Sequence, residues 1–422
     1  MTTARSVQRT YLLLMLGNTL AASLIWGINT IFLLDSGLSN LEAFAANAAF
    51  TAGMVLFEIP TGIVADTVGR RASYLLGTVT LAASTLFYVG LWQVHGPFWL
   101  WLAASVLIGL GFTFFSGAVE AWLVDALAAT GFDGSLDSVF GRGQMVSGAG
   151  MLVGSVAGGW VAQHASLGVP YLVRAGVLLL MLVFAAVAMR DLGFAPERHG
   201  TVGQEVARLA RQTVDLGWQV PAIRWLMVQA LVTGGVGLYA FYALQPYLLQ
   251  LYGDPHAYQV AGLVAAAVAL AQMAGGLAAG QVRRLARRRT SALMLTTAIA
   301  VAAMLAIGSV DSFGAVLALS GLWGLTFAAF TPVRQSYLNG LIPSRQRATL
   351  LSADSLMSSA GGVWAQPALG RVADLRGYAA SYLVAAGISA VAIPLIALSR
   401  RTDAPADSYE PTGASGSDGS SG

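Results

Sequence analysis

The chain has 422 residues, of which 56% are hydrophobic and 10% charged, with a formal net charge of +3. A water-soluble domain carries roughly 25% charged residues, so this composition belongs to a chain whose main solvent is lipid. There is no cysteine and the basic residues are all arginine, which excludes disulfides, thiolate metal sites and cysteine nucleophiles; the small, scattered positive charge gives no basis for nucleic-acid binding.

After a polar start at Thr2 to Thr10, the apolar run from Tyr11 is long and lacks a convincing cleavage site, so it reads as a first membrane span and not as a signal peptide. A crossing needs about 20 apolar residues. On that rule spans are predicted near 10–34, 43–65, 73–93, 98–125, 143–164, 169–189, 223–250, 258–281, 291–310, 314–341, 350–372 and 378–399, twelve in all. Backbone groups in lipid must be satisfied within the segment, so these are helices. Between spans two and three, Gly62-x-x-x-Asp66-x-x-Gly69-Arg70-Arg71 concentrates charge that hydrocarbon would not accept. It predicts a turn at a membrane surface, with Gly62 and Gly69 allowing close helix contact and a tight reversal.

The arginines set the orientation. With the N-terminus inside, inner loops hold Arg70, Arg71, Arg142, the 190–224 group, Arg283 to Arg289, Arg345 and Arg347, whereas outer loops hold only Arg371 and Arg376. Positive charge accumulates on the cytoplasmic side, so both termini are expected there. The polar segment 191–220 places Val202, Val206, Leu209 and Val214 on one helical face beside Arg208 and Arg211. It is expected to be a cytoplasmic linker between the bundles that carries an interfacial amphipathic helix. The low-complexity tail 401–422 is expected to be disordered.

The chain also repeats itself. Residues Gly159 to Gly176 align without gaps on Gly370 to Gly387, at an offset of 211, half the chain. The expected fold is therefore all-α and integral to the membrane, with two pseudo-symmetric six-helix bundles at 1–190 and 221–400 and the substrate site at their interface.

Ionisable groups within spans are costly and mark function by default. Glu58 lies eight residues before Asp66, and Glu120 five before Asp125; eight residues of helix are about 12 Å. Glu120, Glu58 and Asp354 are the candidates to load and release a proton, the alternative being a static pair with Arg142 or Arg334. Asp125 is expected at the inner surface. Arg174, near the outer end of span six, is expected to snorkel to the headgroups in preference to capping the cavity. No catalytic residue and no metal site is expected: His-Glu-x-x-His and Gly-x-Ser-x-Gly are absent, and His95, His164, His199 and His256 are scattered.

Over essentially its whole length the chain resembles the major facilitator superfamily. The Gly62 to Arg71 stretch looks like that family's loop 2–3 signature, with Thr67 where a basic residue is often found. Gly150-x-x-x-Gly154-Ser155-x-x-Gly158-Gly159 resembles the antiporter signature of drug exporters, with Ser155 in place of proline. Arg334 to Asn339, Ile342-Pro343, Arg347-Ala-Thr and Ser116 to Asp125 are similar to a bacterial drug-exporter subgroup that includes macrolide and tetracycline efflux proteins. The arginine that many proton-coupled exporters carry in span four is missing at about Ser105.

The resemblance implies several roles. Gly62, Asp66, Gly69, Arg70, Arg71 and Asp125 would form a conformational switch, with Arg70 latching to Asp125. The Gly150, Gly154 and Gly158 face would pack on the other half. Spans 1, 4, 7 and 10 would line the cavity, through Trp26, Asn29, Phe112, Tyr239, Tyr242, Gln245, Trp323 and Phe327. Aromatic groups with a few polar ones suit an amphipathic small molecule. The expected function is secondary transport: proton-coupled efflux of small amphipathic compounds, the alternatives being a proton symporter or facilitator importing a polar nutrient and, remotely, a membrane receptor or enzyme. The resemblance also implies a bacterial cytoplasmic (inner) membrane; no cofactor beyond a proton gradient is expected, the partners are lipid and the small-molecule substrate, and the protein is expected to be monomeric.

Overall fold

The structure is a computed structural model that describes residues 3–196, 203, 218–342 and 347–409. It is built of helices. The first half holds α1 (Ala4–Trp26), α2 (Asn29–Asp35), α3 (Asn40–Thr67), α4 (Arg70–Val94), α5 (Phe98–Thr113), α6 (Ala118–Ala129), α7 (Leu136–His164) and α8 (Val169–Ala188). The second holds α9 (Pro221–Tyr252), α10 (Tyr258–Leu285), α11 (Arg289–Ile307), α12 (Phe313–Leu341), α13 (Arg347–Ala390) and α14 (Ala392–Arg400).

Ten helical stretches among the described residues are long and apolar enough to cross a bilayer, and α1 with α2, bent by 45°, makes an eleventh. One of the ten, Leu350–Arg400, is 51 residues long. At 1.5 Å per residue that is about 75 Å, more than twice the hydrocarbon thickness. It turns back at Gly377, whose φ of 81° and ψ of 170° are not helical, so it crosses twice. Twelve crossings result, as the hydropathy pattern predicts. Glycine also makes the reversal between α3 and α4, where Gly69 has φ 126° in a region closed to residues with a Cβ.

Local sequence fixes the helix starts. Thr3 and Ser6 form a capping box on α1, and Ser39 and Glu42 form another on α3, each satisfying donors that a helix N-terminus leaves unpaired. Within lipid the remaining hydroxyls have few partners, and Thr78, Thr85 and Ser320 turn theirs onto the carbonyl four residues back. In α8, Leu180, Val183 and Val187 are exposed while Tyr171, Arg174, Ala175 and Leu178 are buried. One face of that helix is thus an unbroken aliphatic stripe for lipid, and the other looks into the bundle.

The halves repeat each other in space. In the first, α1 packs on α7 and α3 on α5; in the second, α9 packs on α13 and α10 on α12. Tyr171 and Tyr382, related by the sequence repeat, are both buried, and their hydroxyls donate to Asn29 and to the Ala240 carbonyl, which the same offset relates. Across the halves, α3 packs on α13, α7 on α10 and α2 on α9.

The start of the tail departs from expectation. Residues 401–409 fold back on the second half: Asp407 is buried, accepting from the Thr290 backbone N at 2.7 Å and from its hydroxyl at 2.8 Å, and Arg288 pairs with Asp403 at 2.8 Å. The aspartate caps the otherwise unpaired start of α11, which low sequence complexity conceals. The amphipathic stretch 202–214, apart from residue 203, and the tail from residue 410 lie outside the described residues.

Candidate functional site

The two halves are hydrogen-bonded at one end. Helix α3 starts at the end away from the chain termini, and there the Asn40 and Leu41 backbone N–H groups donate to Asp374 of the other half at 2.8 and 2.9 Å. Tyr378 donates to Asn40, and the Gln245 amide donates to the Trp26 carbonyl at 2.7 Å. Beside them α7 and α10 are nearly in backbone contact, since a Cβ at Gly159 would lie 2.9 Å from the Gly262 Cα. Every hydrogen bond between the halves among the described residues belongs to this region or, at Thr51 and Gln366, just below it. Toward the termini end no hydrogen bond between the halves is found among the described residues: nothing lies within 4 Å of where a Cβ on Gly62 would be, and Glu58 is exposed.

Beneath the seal is a cavity of about 290 Å³. Its walls include Trp26 and Asn29 around the bend of α1 and α2, Asn47 and Phe50 of α3, Phe112 of α5, Arg174 of α8, and Tyr242 from the other half. Four of the expected substrate-facing residues, Trp26, Asn29, Phe112 and Tyr242, do line it. Two others line a smaller pocket of about 90 Å³ inside the second half: Trp323 and Phe327, with ring centroids 5.6 Å apart, beside Gln229, Thr233, Thr296 and Thr297. Tyr239 is packed in the core with its hydroxyl on Ser381 at 2.5 Å, and Gln245 belongs to the seal. The cavity walls are also drawn from spans two, three, five and six and not from spans 1, 4, 7 and 10 alone.

Arg174 corrects the snorkelling expectation. It is 3% exposed and faces the cavity, with its guanidinium 5.8 Å from the Phe112 ring centroid and its Nε without a hydrogen-bond partner. The reason is the helix period: position 174 falls three residues after Tyr171 on the inward face of α8, and the side chain cannot reach water around the aliphatic outer face. Its neighbours are occupied elsewhere. Tyr88 shares a hydrogen bond with Ser105, Tyr171 donates to Asn29 at 3.0 Å, and Asn29 donates to Asn47 at 3.0 Å. The Asn47 side-chain nitrogen, at the end of that relay, is buried without a partner.

The three proton-carrier candidates sit apart from this cavity and differ from one another. Glu58 is exposed and accepts from the Ser116 hydroxyl at 2.8 Å; Glu120 is half-buried at the start of α6. Asp354 is 8% exposed and held by both terminal nitrogens of Arg334, at 2.5 and 2.6 Å. Arg334 also donates to Gln229 at 3.1 Å and to the Leu226 carbonyl at 3.0 Å. The static pair is therefore Arg334 with Asp354, while Arg142 is exposed.

In the loop 2–3 signature, Arg70 pairs with Asp66 across the turn, and Arg71 donates to the Ala186 carbonyl at 2.5 Å. No ion pair joins Arg70 to Asp125 among the described residues in this conformation. A second acidic residue at the turn is Asp191, which accepts from the Arg71 backbone N at 2.9 Å and so caps α4. It lies 120 positions away in sequence, too far for any local spacing to reveal it. The Gly150, Gly154 and Gly158 face meets α1 of its own half, where a Cβ at Gly158 would lie 1.8 Å from the Leu24 carbonyl oxygen. The other half is met by the adjacent face, through Gly159 and the Ser155 carbonyl against Gly262. Positions four apart share one helix face, and the next residue turns by about 100°, which carries Gly159 onto the second contact.

The sequence profile described as Major Facilitator Superfamily matches residues 11–317 and again 240–417. No curated protein matches the chain in sequence. Solved structures that share its shape include the nucleoside transporter NupG, at 12% identity and a TM-score of 0.74, covering 94% of this chain and 99% of that one. A bacterial homologue of the human lysosomal transporter Spinster, in an inward-facing and unoccupied conformation, is similar at 15% identity and 0.71, with 97% and 99% covered. A D-xylose-proton symporter is similar at 15% and 0.67, with 93% and 96% covered. At these identities the likeness is one of fold.

Proposed function

The chain belongs to the major facilitator superfamily, and on that premise we propose that it is a secondary active transporter that exports small amphipathic compounds in exchange for protons by alternating access. The observation that supports this most is the position of the aromatic-walled cavity. It lies at the junction of the halves, beneath a seal made of a few hydrogen bonds and glycine contacts, with open space at Gly62 toward the other end. A rocking of one half on the other would break that seal and bring the Gly62 to Arg71 surface into contact, exposing the same cavity to the opposite side. Residues 1–190 and 221–400 are in this reading the moving bundles, 191–220 joins them, and both termini lie in the cytoplasm, an orientation that the arginine distribution supports. In this reading Glu120 and Glu58, in the freer half of the path, carry the proton, and substrate and proton must favour opposite orientations for exchange to occur. Arg70, Asp66 and Asp125 govern switching.

A second reading, proton-coupled import of a polar solute, gains from Arg174 and Asn47, polar groups that a cavity for purely apolar drugs does not need. A panel of antibacterial compounds and dyes in an efflux-deficient host separates the two. Export predicts raised tolerance for wild type, lost in Glu120→Gln and Asp66→Asn variants that still reach the membrane. No gain of tolerance for any compound, with gradient-driven uptake into liposomes instead, would replace export by import.

A further inference from the structure

We propose that the cavity around Arg174 and Asn47 is an anion site, and that the transported compound is a small organic monocarboxylate with a ring-sized apolar body. The inference rests on the transporter reading for the word transported; the site itself rests on geometry.

Among the described residues that line the cavity Arg174 is the sole charged group, and none is a carboxylate. A guanidinium that is 3% exposed, within a membrane bundle, carries a positive charge that no counter-ion among the described residues lining its cavity relieves. Its surroundings do little to help. The Phe112 ring offers its face, but the hydroxyls of Tyr88 and Tyr171 are engaged with Ser105 and Asn29. Arg334, a half-buried arginine of the other half, shows what a structural arginine looks like in this fold: both of its terminal nitrogens are used on one carboxylate.

A second, independent group points the same way. Asn47 is 6% exposed, and its side-chain nitrogen donates to nothing. It ends a relay in which Tyr171 donates to Asn29 and Asn29 to Asn47, and a chain of donors polarised in one direction strengthens its last member. Two buried groups lining one cavity are thus both donors without acceptors. The ligand chemistry that satisfies both is an acceptor with negative charge. A carboxylate suits the planar fork of arginine better than a point anion does. The rest of the wall, Trp26, Phe50 and Phe112 with Ile108 and Met151, would hold an apolar body. The internal repeat places Ala385 where the first half has Arg174, so the charge is specific to one half and is not required by the fold.

The test is equilibrium binding to the purified full chain in detergent, with Trp26 in the cavity wall as a fluorescence reporter. The probes are matched sets of 3-phenylpropionate, 3-phenylpropionamide and 3-phenylpropylamine, extended to other aryl and alkyl acids with their amides and amines. Acids should bind about 10- to 100-fold more tightly than their amides, the value of a hydrogen-bonded charge, with the amines weakest. Arg174→Met should bind acid and amide alike, Arg174→Lys should keep part of the preference, and Asn47→Ala should lose a smaller part. The wild-type contrast alone decides should a variant not fold. The proposal is overturned if no acid binds better than its amide, or if the preference survives in Arg174→Met. Binding needs no gradient, so the two readings fail separately. An acid preference without any flux in liposomes keeps the site and sinks the transport reading; flux without an acid preference sinks the site.

Discussion

Among the described residues, each half holds an arginine inside its bundle, Arg174 buried and Arg334 half-buried, and the two are treated in opposite ways. In the second half Arg334 is enclosed by acceptors: the Asp354 carboxylate on both terminal nitrogens, the Gln229 amide on Nε and a backbone carbonyl. In the first half Arg174 is more deeply buried, touches an aromatic face, and has no partner for Nε. Since the halves share a fold and an internal repeat, the difference is not one of architecture. A complete set of partners makes a strut between helices; a missing acceptor in a cavity wall makes a place for something to bind.

The strongest way to break this comparison is to unpair the strut. Arg334→Met leaves Asp354 as a lone buried carboxylate, and unfolding in detergent should show a loss of about 3–5 kcal/mol. The double variant Arg334→Met with Asp354→Leu should recover most of it, because the cost lies in the unpaired charge. Recovery of none of it would mean that Gln229 and the Leu226 carbonyl, not the charge pair, hold this region.

A second test contrasts the sealed and open ends. Gly159→Val drives side-chain atoms into the Gly262 backbone, and overpacking of this kind costs about 1–3 kcal/mol, here against the sealed conformation. Gly62→Val meets open space and should leave stability within about 0.5 kcal/mol. Equal effects would show that the facing surface at Gly62 is occupied. Because the chain has no cysteine, a single cysteine at Ala22 in the cavity wall reports access cleanly. Asp374→Ala removes the cap that one half places on the other, worth about 1 kcal/mol. Labelling from the sealed side should then rise about fivefold; unchanged labelling would remove Asp374 from the seal.

The smallest contrast concerns a device that both halves share. The segment after the last helix of each half supplies an aspartate to the start of that half's third span: Asp191 to α4 and Asp407 to α11. Asp407 is 2% exposed and Asp191 is exposed, so Asp407→Ala should cost about 1–2 kcal/mol and Asp191→Ala about 0.5–1 kcal/mol. The reverse order in a melting experiment would show that burial does not set the worth of these caps.

Much of this was legible in the sequence, for a physical reason. Lipid demands long apolar helices with charges at their ends, so composition alone places twelve crossings, and the repeat at an offset of 211 gives two halves. The turn at Gly69 was equally plain, because its backbone needs a residue without a Cβ. Side-chain partnerships were not legible, since they depend on which helix faces which. Asp191 caps a helix 120 positions away, and Asp354 takes Arg334 from another span. Arg174 had a signal that was there to be used: Leu172, Val173, Leu179, Leu180, Val183 and Val187 form one unbroken aliphatic face, and position 174 falls opposite it, with Tyr171. An arginine on the inward face of a span cannot snorkel outward. The glycine face of α7 shows the same limit, for the sequence identifies a close contact at Gly150, Gly154 and Gly158 without saying that its partner is α1.

The central claim is that Arg174 is kept for a ligand and not for the fold, and the most direct measurement is the stability of ligand-free Arg174→Met beside ligand-free Arg334→Met. Replacing an unrelieved buried charge by an apolar side chain of similar length should leave the protein as stable as wild type, or more stable by about 1–4 kcal/mol, while Arg334→Met falls. If Arg174→Met falls as far as Arg334→Met, the first-half arginine is a strut as well, and the account of this cavity is wrong.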